Sequence, residues 1–252
     1  MKKSVGRLSL RKRLALEVFR RMRENQKALH PLKQLFWECT QRCNIHCKHC
    51  GSDCKRTTDI PDMPAEDFLR VVDSLTPHVN PHEVNIVITG GEPLVRDDLE
   101  QVGLALYRRG YPWGMVTNGL FLTAERLQSL LAAGLHAITV SLDGFADDHN
   151  WLRGHPDSYA CAMNAIRLLA QEREVKWDVV TCVNRRNYLY LEQFKDALYE
   201  AGVRRWRLFT IFPVGRAAHY PEFQLDDRDF KGLMDFIART RHEDKLCVSY
   251  GC

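Results

Sequence analysis

From residue 34 onward the sequence alternates short β-rich runs with helical runs, and this alternation constrains the fold more than any other feature. Apolar, β-branched runs such as VNIVIT (84–89) and AITVSL (137–142) are typical of parallel strands covered by helices. Six predicted strands are each followed by a predicted helix. Because right-handed crossovers place such strands in one sheet, we predict an α/β fold, a partial (β/α)6 TIM-like barrel.

The predicted elements also indicate where a site would lie. The strands are expected at 34–38, 83–89, 113–117, 137–142, 176–183 and 205–212. The helices are expected at 64–77, 97–109, 123–133, 158–171, 190–201 and 227–241. In folds of this class ligands bind at the carboxyl ends of the strands, so residues that follow a strand are the candidates.

Composition excludes several classes of protein. The chain has 252 residues, 45% of them hydrophobic, which is enough for one sizeable core and argues against a disordered or fibrous protein. There is no run of roughly 18 apolar residues that would span a membrane. The N-terminus lacks an apolar signal core, so a cytoplasmic location is expected.

Basic residues are concentrated at the N-terminus. Residues 1–33 carry eleven Lys or Arg and two Glu, a net charge of +9, whereas the remainder has a net charge of −5. This distribution argues against nucleic acid as a partner. We predict a basic amphipathic helical extension at 1–33 that packs on the barrel, lies on a membrane surface or docks an acidic partner.

Five of the nine cysteines lie between Cys39 and Cys54, and such crowding in a cytoplasmic chain argues for a metal site. Cys43, Cys47 and Cys50 form a C-x3-C-x2-C motif. Three thiolates on a short loop can bind three irons of a [4Fe–4S] cluster and leave the fourth iron open. The loop alone also permits a zinc site built from Cys47, Cys50 and a histidine or another cysteine.

Further motifs follow the next three predicted strands. Gly90-Gly91-Glu92-Pro93 follows the second, Thr117-Asn118-Gly119 ends the third, and Ser141-Leu142-Asp143-Gly144 ends the fourth. Together with the cysteine motif, these turns resemble the radical SAM superfamily over roughly residues 34–240. The resemblance predicts a barrel core at 34–242.

The resemblance implies a role for each motif residue. Cys43, Cys47 and Cys50 would bind the cluster, and His49 would pack near the adenine of S-adenosylmethionine (SAM). Gly90 and Gly91 would let the backbone approach the methionine part. Glu92, with Pro93 beside it, would bind the amino group of SAM, and Arg153 would bind its carboxylate. Ser141 and Asp143 would contact the ribose or the carboxylate. Asn184 would contact the ribose, and residues 211–216 would pack on the adenine. Asn118 fits helix capping better than SAM binding.

The same resemblance implies a reaction. A reduced [4Fe–4S] cluster would cleave SAM to a 5′-deoxyadenosyl radical, which abstracts hydrogen from a substrate. The segment from Asp148 to Arg153-Gly154 is similar to the SPASM/twitch-like branch, so a peptide or protein substrate is expected first. The alternatives are an enzyme acting on a small-molecule or cofactor precursor, and a non-catalytic zinc- or cluster-binding scaffold.

Both ends of the chain carry further expectations. Residues 243–252, with Cys247 and Cys252, are expected to begin a truncated cysteine-rich extension that would bind an auxiliary Fe–S cluster; a frayed tail is the alternative. Residues 30–40 and 51–54 resemble a subgroup associated with a small lipoprotein, which would place the basic helix near a membrane. The reductant would be a flavodoxin or ferredoxin.

Overall fold

The computed structural model describes residues 8–243 and 245–251, and contacts within the chain divide it after Lys33 into two units. The first unit contains helix α1 (Leu10–Leu29). This helix begins where the Ser9 hydroxyl accepts a hydrogen bond from the Lys12 amide, and it ends at His30, which adopts a left-handed conformation. No helix among the described residues has both the length and the apolar character needed to cross a membrane.

The second unit is built on one sheet of seven parallel strands, whose order in the sheet is their order in the chain. The strands are β1 (Gln34–Thr40), β2 (Asn85–Gly90), β3 (Trp113–Thr117), β4 (Leu135–Ser141), β5 (Lys176–Val183), β6 (Arg205–Thr210) and β7 (Cys247–Tyr250). Among the described residues β1 and β7 do not pair with each other, so the sheet is an open, partial barrel.

Helices fill the connections between successive strands, as parallel pairing requires. They are α2 (Ala65–Leu75), α3 (Leu99–Arg108), α4 (Ala124–Ala132), α5 (Ala146–Arg153), α6 (Ser158–Gln171), α7 (Leu191–Glu200) and α8 (Asp227–Thr240). Both α5 and α6 lie between β4 and β5, and every other connection in the sheet contains one of these helices.

The two faces of the sheet differ in burial. On β5 and β6, Val179, Thr181 and Leu208 are fully buried, whereas Asp178 and Arg207 are only half-buried. Because successive residues of a strand point to opposite faces, one face carries the apolar core and the other stays partly open. The open face is called the concave face below.

The α/β fold with a partial barrel is confirmed, but two elements were missed. Strand β7 pairs with β6 in parallel, so the prediction of six strands is wrong by one. Cys247 therefore belongs to the sheet and is not part of a frayed tail, while Cys252 lies outside the described residues. The extension at 243–252 stays a prediction. Helix α5 was missed because its sequence, ADDHNWLR, contains few apolar residues.

Candidate active site

One cavity of about 240 Å³ lies at the carboxyl ends of the strands, next to the loop that follows β1. Ten of the thirteen residues proposed from the sequence line it: Cys43, Cys47, His49, Cys50, Gly90, Gly91, Glu92, Asn118, Ser141 and Arg153. Most of these residues are separated by many positions in the chain, so the fold itself brings them together.

The spacing of the three thiols distinguishes between two kinds of metal site. Among the described residues, one group of three candidate ligand atoms lies within 4.8 Å of one another, and it is His49, Asp143 and Cys182. At least two of the sulfurs of Cys43, Cys47 and Cys50 therefore lie more than 4.8 Å apart. Ligands of one zinc ion with Zn–S bonds of about 2.3 Å lie only about 3.8 Å apart. The three thiols fit a polynuclear cluster better than a single zinc ion.

Burial and neighbouring charges affect the thiols differently. Burial raises the pKa of Cys43 to about 11 and also raises that of Cys47, although Arg153 acts against the shift at Cys47. A hydrogen bond with the buried Cys54 side chain lowers the pKa of Cys50 to about 5. The cysteine motif does not include Cys54, whose side chain nevertheless contacts a proposed ligand.

The cysteine loop is held in place by Arg216, whose role was not predicted. Its Nε donates to the Cys47 carbonyl at 2.7 Å, and its Nη1 donates to the Cys54 carbonyl at 2.9 Å and to the Asp53 carboxylate at 2.8 Å. The Arg216 amide also donates to the Cys50 carbonyl at 2.9 Å. The segment after β6 therefore fixes the backbone beside two of the three thiols.

The glycine pair after β2 meets the start of the same loop. A Cβ on Gly90 would lie 2.5 Å from the Thr40 carbonyl oxygen, and one on Gly91 would lie 2.0 Å from the Arg42 carbonyl oxygen. Gly91 and Glu92 donate their amides to these two carbonyls at 2.7 and 2.9 Å. The contact that requires glycine is thus with the chain's own cysteine loop, a role that the sequence motif did not reveal.

Glu92 is buried and joins the ends of two strands. One carboxylate oxygen accepts from the Thr117 hydroxyl at 2.7 Å and the Leu94 amide at 3.1 Å, and the other accepts from the Asn118 amide at 2.7 Å. Burial raises the pKa of Glu92, against the effect of these donors. The second oxygen keeps a lone pair, so an amino group can still bind there.

Asn118 contributes to the turn and to the cysteine loop at the same time. Its side-chain oxygen accepts from the Leu120 amide at 2.9 Å, and its Nδ2 donates to the Asn44 side-chain oxygen at 2.7 Å. The Nδ2 also lies 4.0 Å from the Cys43 sulfur. Asn118 therefore stabilises its own turn and contacts the cysteine loop, whereas the N-cap of α4 is Thr123 and not Asn118 as predicted.

Asp143 and Arg153 form a buried ion pair. The Arg153 Nε donates to Asp143 at 2.6 Å, and the Arg153 Nη1 lies 3.8 Å from the Cys47 sulfur. Burial acts to raise the pKa of Asp143, but Arg153 and the neighbouring histidines bring it down to about 2. The arginine proposed for the methionine carboxylate is thus already paired, and it also contacts a proposed cluster ligand.

His49 is buried close to this pair. Its Nε2 lies 4.0 Å from the Asp143 carboxylate, and its Nδ1 has no partner among the described residues. Burial lowers the pKa of His49 to about 4. His49, Asp143 and Cys182 are the grouped ligand atoms noted above, but a cation there would have to compete with the Arg153 guanidinium for Asp143.

His149 supports Asp143 from α5 and was not predicted from the sequence. Its Nδ1 accepts a hydrogen bond from the Asp143 amide at 2.9 Å, and its Nε2 lies 3.0 Å from the Ser158 hydroxyl. Burial lowers the pKa of His149 to about 3, so the imidazole is neutral at pH 7. The only signal in the sequence is a histidine six residues after Asp143 of the SLDG turn.

Pro93, Asp143 and Asn184 are the three proposed residues that do not line the cavity. Pro93 is buried at the start of a 3-10 turn, where it fixes the chain after Glu92. The Asn184 side-chain oxygen accepts from the amides of Arg186 and Asn187, at 2.9 and 3.4 Å. The side chain of Asn184 is therefore used within its own turn, and its contact with ribose stays a prediction.

Comparison with known proteins identifies relatives of this site. A profile of the radical SAM superfamily matches residues 37–198. The chain is 26% identical over 224 residues to an AdoMet-dependent heme synthase of Nitratidesulfovibrio vulgaris, covering 87% of this chain and 59% of that protein. It is 26% identical to an Fe-coproporphyrin III synthase of Methanosarcina barkeri, covering 81% and 51%. The chain thus spans between half and three-fifths of these relatives.

Two solved structures share the fold. SuiB of Streptococcus suis bound to S-adenosylmethionine superposes with a TM-score of 0.69 at 17% identity, covering 99% of this chain and 58% of SuiB. The protein anSMEcpe with bound AdoMet superposes with a TM-score of 0.71 at 18% identity, covering 86% and 64%. At these identities the likeness establishes the fold alone.

Proposed function

The chain belongs to the radical SAM superfamily, and we propose that it is an enzyme that cleaves SAM and acts on a small-molecule cofactor precursor. SAM cleavage is supported by one observation: Cys43, Cys47 and Cys50 line a cavity that is also lined by Glu92 and Arg153. Such a wall combines soft ligands for iron with groups for the amino and carboxylate ends of SAM.

In this proposal Cys43, Cys47 and Cys50 would hold three irons of the cluster and would leave the fourth iron without a protein ligand. When bound, the cluster and SAM supply a one-electron cleavage that yields the hydrogen-abstracting radical. The chain's own residues orient the reactants. Glu92 accepts from the amino group through its free lone pair, and Arg153 donates to the carboxylate with hydrogens that Asp143 leaves free. The Nδ1 of His49, which has no hydrogen-bond partner among the described residues, forms a hydrogen bond with the adenine in this proposal.

The substrate class proposed here differs from the first expectation. Several of the relatives bear names of enzymes that act on tetrapyrroles: AdoMet-dependent heme synthase, Fe-coproporphyrin III synthase and pre-heme d1 synthase. Each match covers more than four-fifths of this chain, but only about half to three-fifths of the relative. These names support the cofactor-precursor alternative over the peptide substrate that the sequence analysis placed first.

A peptide substrate remains the second candidate, and one similarity favours it. The chain is 27% identical over 175 residues to PqqA peptide cyclase of Ruegeria pomeroyi, covering 69% of this chain. This match is shorter than those to the heme synthases.

The test is an anaerobic reconstitution with iron and sulfide, followed by dithionite and SAM. We expect 5′-deoxyadenosine from the unaltered chain and none from Cys43→Ala, with Cys161→Ala as the matched control. Adding coproporphyrin III should accelerate its formation if the precursor is a tetrapyrrole. Stoichiometric zinc without iron in the reconstituted protein would contradict the proposal and favour the scaffold alternative.

The parts of the chain outside the barrel core carry separate proposals. Helix α1 has seven basic and two acidic residues, and we propose that the 1–33 extension associates with an acidic partner or an anionic membrane surface. Co-sedimentation with anionic vesicles tests the second option. A flavodoxin or ferredoxin as reductant, and an auxiliary cluster beyond residue 243, are proposals that rest on the superfamily alone.

A further inference from the structure

A second, larger cavity occupies the concave face of the sheet. Its volume is about 610 Å³, which is in the range of sites for cofactor-sized ligands, and it is lined by residues of strands β1 to β6. Its lining includes alternate strand residues such as Val87, Val116, Asp178, Val180 and Arg207, which are only partly buried. The opposite face of the same strands is largely buried, so this cavity is the open side of the barrel.

The concave-face cavity neighbours the cluster cavity at one residue. Val116, near the carboxyl end of β3, lines both. The rest of the wall of the concave-face cavity is largely apolar and includes Val87, Val180, Phe209 and Phe36, which is 60% exposed. A ligand held against this wall would therefore extend to the place where the radical is expected to form.

The polar groups of the cavity are predominantly basic. Lys176, Arg205 and Arg207 line it against a single carboxylate, Asp178, which leaves a net charge of +2. Lys176 and Arg205 are the exposed first residues of β5 and β6, and no described carboxylate pairs with either. Lys176 and Arg205 begin their strands and lie at the end of the cavity away from the cysteines. Arg207 pairs in register with Val180 and lies nearer the carboxyl ends of the strands.

Arg207 is held in position by two neighbours. Its Nε and Nη2 donate to the Asp178 carboxylate, and Nη2 also donates to the Thr139 hydroxyl at 2.7 Å. Thr139 in turn donates to Asp178 at 2.7 Å. No described residue accepts from Nη1, and 39% of the side chain is exposed. The guanidinium thus keeps a donor without a described partner, on a side chain that lines the cavity.

We propose that the concave-face cavity binds a largely apolar small molecule bearing carboxylates, with Arg207 as the main anchor and Lys176 and Arg205 as further cationic contacts. The proposal rests on the proposed function and names the chemical class of its substrate. Apolar contact with Val87, Val180 and Phe209 holds the body of the ligand, while the carboxylates fix its direction. Val116 is level in the sheet with Thr139 and Asp178, the partners of Arg207, so a ligand that spans the concave face from Arg207 also reaches Val116.

The experiment uses coproporphyrin III, a tetrapyrrole with four carboxylates, and its tetramethyl ester, which has none. Each is titrated with the cluster-reconstituted chain, and binding is followed by fluorescence anisotropy of the porphyrin. We expect the ester to bind at least roughly tenfold more weakly than the acid. Arg207→Ala should raise the Kd of the acid roughly tenfold or more, since a charged hydrogen bond is lost.

Two further variants separate binding from folding. The first is the double variant Lys176→Ala/Arg205→Ala. Because both residues are exposed and have no described ion pair, this variant should fold normally and still bind the porphyrin several-fold more weakly. Arg239→Ala, on the outer side of α8 and paired with Glu192, should leave the Kd unchanged. Equal binding of acid and ester, or an unchanged Kd in both cavity variants, would overturn the proposal. A dimer in sedimentation together with no porphyrin binding would also overturn the proposal, because a second copy of the chain would then cover the concave face.

The same samples distinguish this inference from the proposed function. If 5′-deoxyadenosine forms on reduction with SAM but coproporphyrin III does not bind, the carboxylate site fails and SAM cleavage stands. If the porphyrin binds through Arg207 but no 5′-deoxyadenosine forms, the binding site stands and the proposed enzyme function fails.

Discussion

Glu92 and Asp143 are both buried carboxylates at the ends of parallel strands, yet they are stabilised in opposite ways. Glu92, after β2, accepts hydrogen bonds from one hydroxyl and two amides, and burial raises its pKa. Asp143, after β4, is paired with Arg153, and its pKa falls to about 2 despite burial. Neutral donors alone do not offset the loss of water around Glu92, whereas a guanidinium does so for Asp143.

The two regions therefore hold the cysteine loop by different means. On the Glu92 side, backbone hydrogen bonds and glycines determine where Thr40 and Arg42 lie. On the Asp143 side, Arg153 is paired with Asp143, and its Nη1 lies 3.8 Å from the Cys47 sulfur. The Glu92 region depends on close backbone contacts and the Asp143 region on an ion pair. Substitutions can alter either region without changing a cysteine.

The largest expected effect is a loss of the cluster when a side chain is added to the glycines that meet the loop. A Cβ on Gly91 would lie 2.0 Å from the Arg42 carbonyl oxygen, and one on Gly154, after α5, would lie 2.4 Å from the His46 carbonyl oxygen. We expect Gly91→Ala and Gly154→Ala each to retain little iron after reconstitution, by iron and sulfide analysis.

Gly232→Ala is the control for these variants. Its Cβ would lie 2.0 Å from the hydroxyl and 3.2 Å from Cζ of Tyr188, the far end of a flexible side chain that can move, and alanine suits the interior of α8. Full iron content in Gly91→Ala would show that the close approach on the Glu92 side does not fix the loop.

Removing one partner of the ion pair should cost more than altering Glu92. Arg153→Met leaves the buried charge of Asp143 without its guanidinium and with only the Cys182 amide as a hydrogen-bond donor to its carboxylate. We expect a loss of about 3–5 kcal/mol in the free energy of unfolding. Glu92→Gln keeps an acceptor but places an amide against the Asn118 donor, at a cost of about 1–3 kcal/mol. Urea unfolding of the metal-free chain measures both.

A double variant controls for the charge itself. Arg153→Met with Asp143→Asn removes the uncompensated charge and should be more stable than Arg153→Met alone. If Glu92→Gln were as costly as Arg153→Met, the distinction between the two regions would be wrong.

The pH dependence of stability should differ in sign between the two carboxylates. Asp143 has a lowered pKa, so its contribution is present above pH 3.8 and is lost as the pH falls toward 2, an effect of about 2 kcal/mol. Glu92 has a raised pKa, so its contribution is present below pH 4.5 and is lost as the pH rises through the raised value. Urea unfolding over pH 2–7, compared with Asp143→Asn and Glu92→Gln, should give slopes of opposite sign. Parallel slopes would contradict this assignment.

The smallest expected effect belongs to Cys161, on α6 and away from both regions. Cys161→Ala should keep the full cluster and lose at most about 1 kcal/mol of stability, because its side chain is only partly buried. Iron analysis beside Cys43→Ala, Cys47→Ala and Cys50→Ala checks this. Equal iron loss in the Cys161 variant would mean that the proposed ligand set is wrong.

How far the sequence predicts the fold depends on the strength of the local pattern. The strands at 113–117 and 176–183 and the helix at 158–171 have the bounds predicted for them, because apolar residues recur there with the period of each element. Strand β7 has four residues and α5 is mostly polar, so neither gives a periodic signal. Both form through tertiary contacts, such as the pairing of β7 with β6.

The candidate site shows the same limit. The motifs identify which residues face the cavity, since residues after parallel strands meet at one edge of the sheet. They do not show that Gly90 and Gly91 meet the cysteine loop, or that Arg216 binds three groups of that loop. These contacts join residues 50 to 170 positions apart, which spacing along the chain does not specify.

The most direct test of the account is the electron paramagnetic resonance spectrum of the dithionite-reduced, reconstituted chain, recorded with and without SAM. Three thiolates leave one iron open, so SAM should change the spectrum of the reduced [4Fe–4S] cluster, and Cys161→Ala should behave like the unaltered chain. A reduced cluster whose spectrum is identical with and without SAM would show that no iron is open. Such a result would contradict the assignment of Cys43, Cys47 and Cys50 as the three ligands of a SAM-binding cluster.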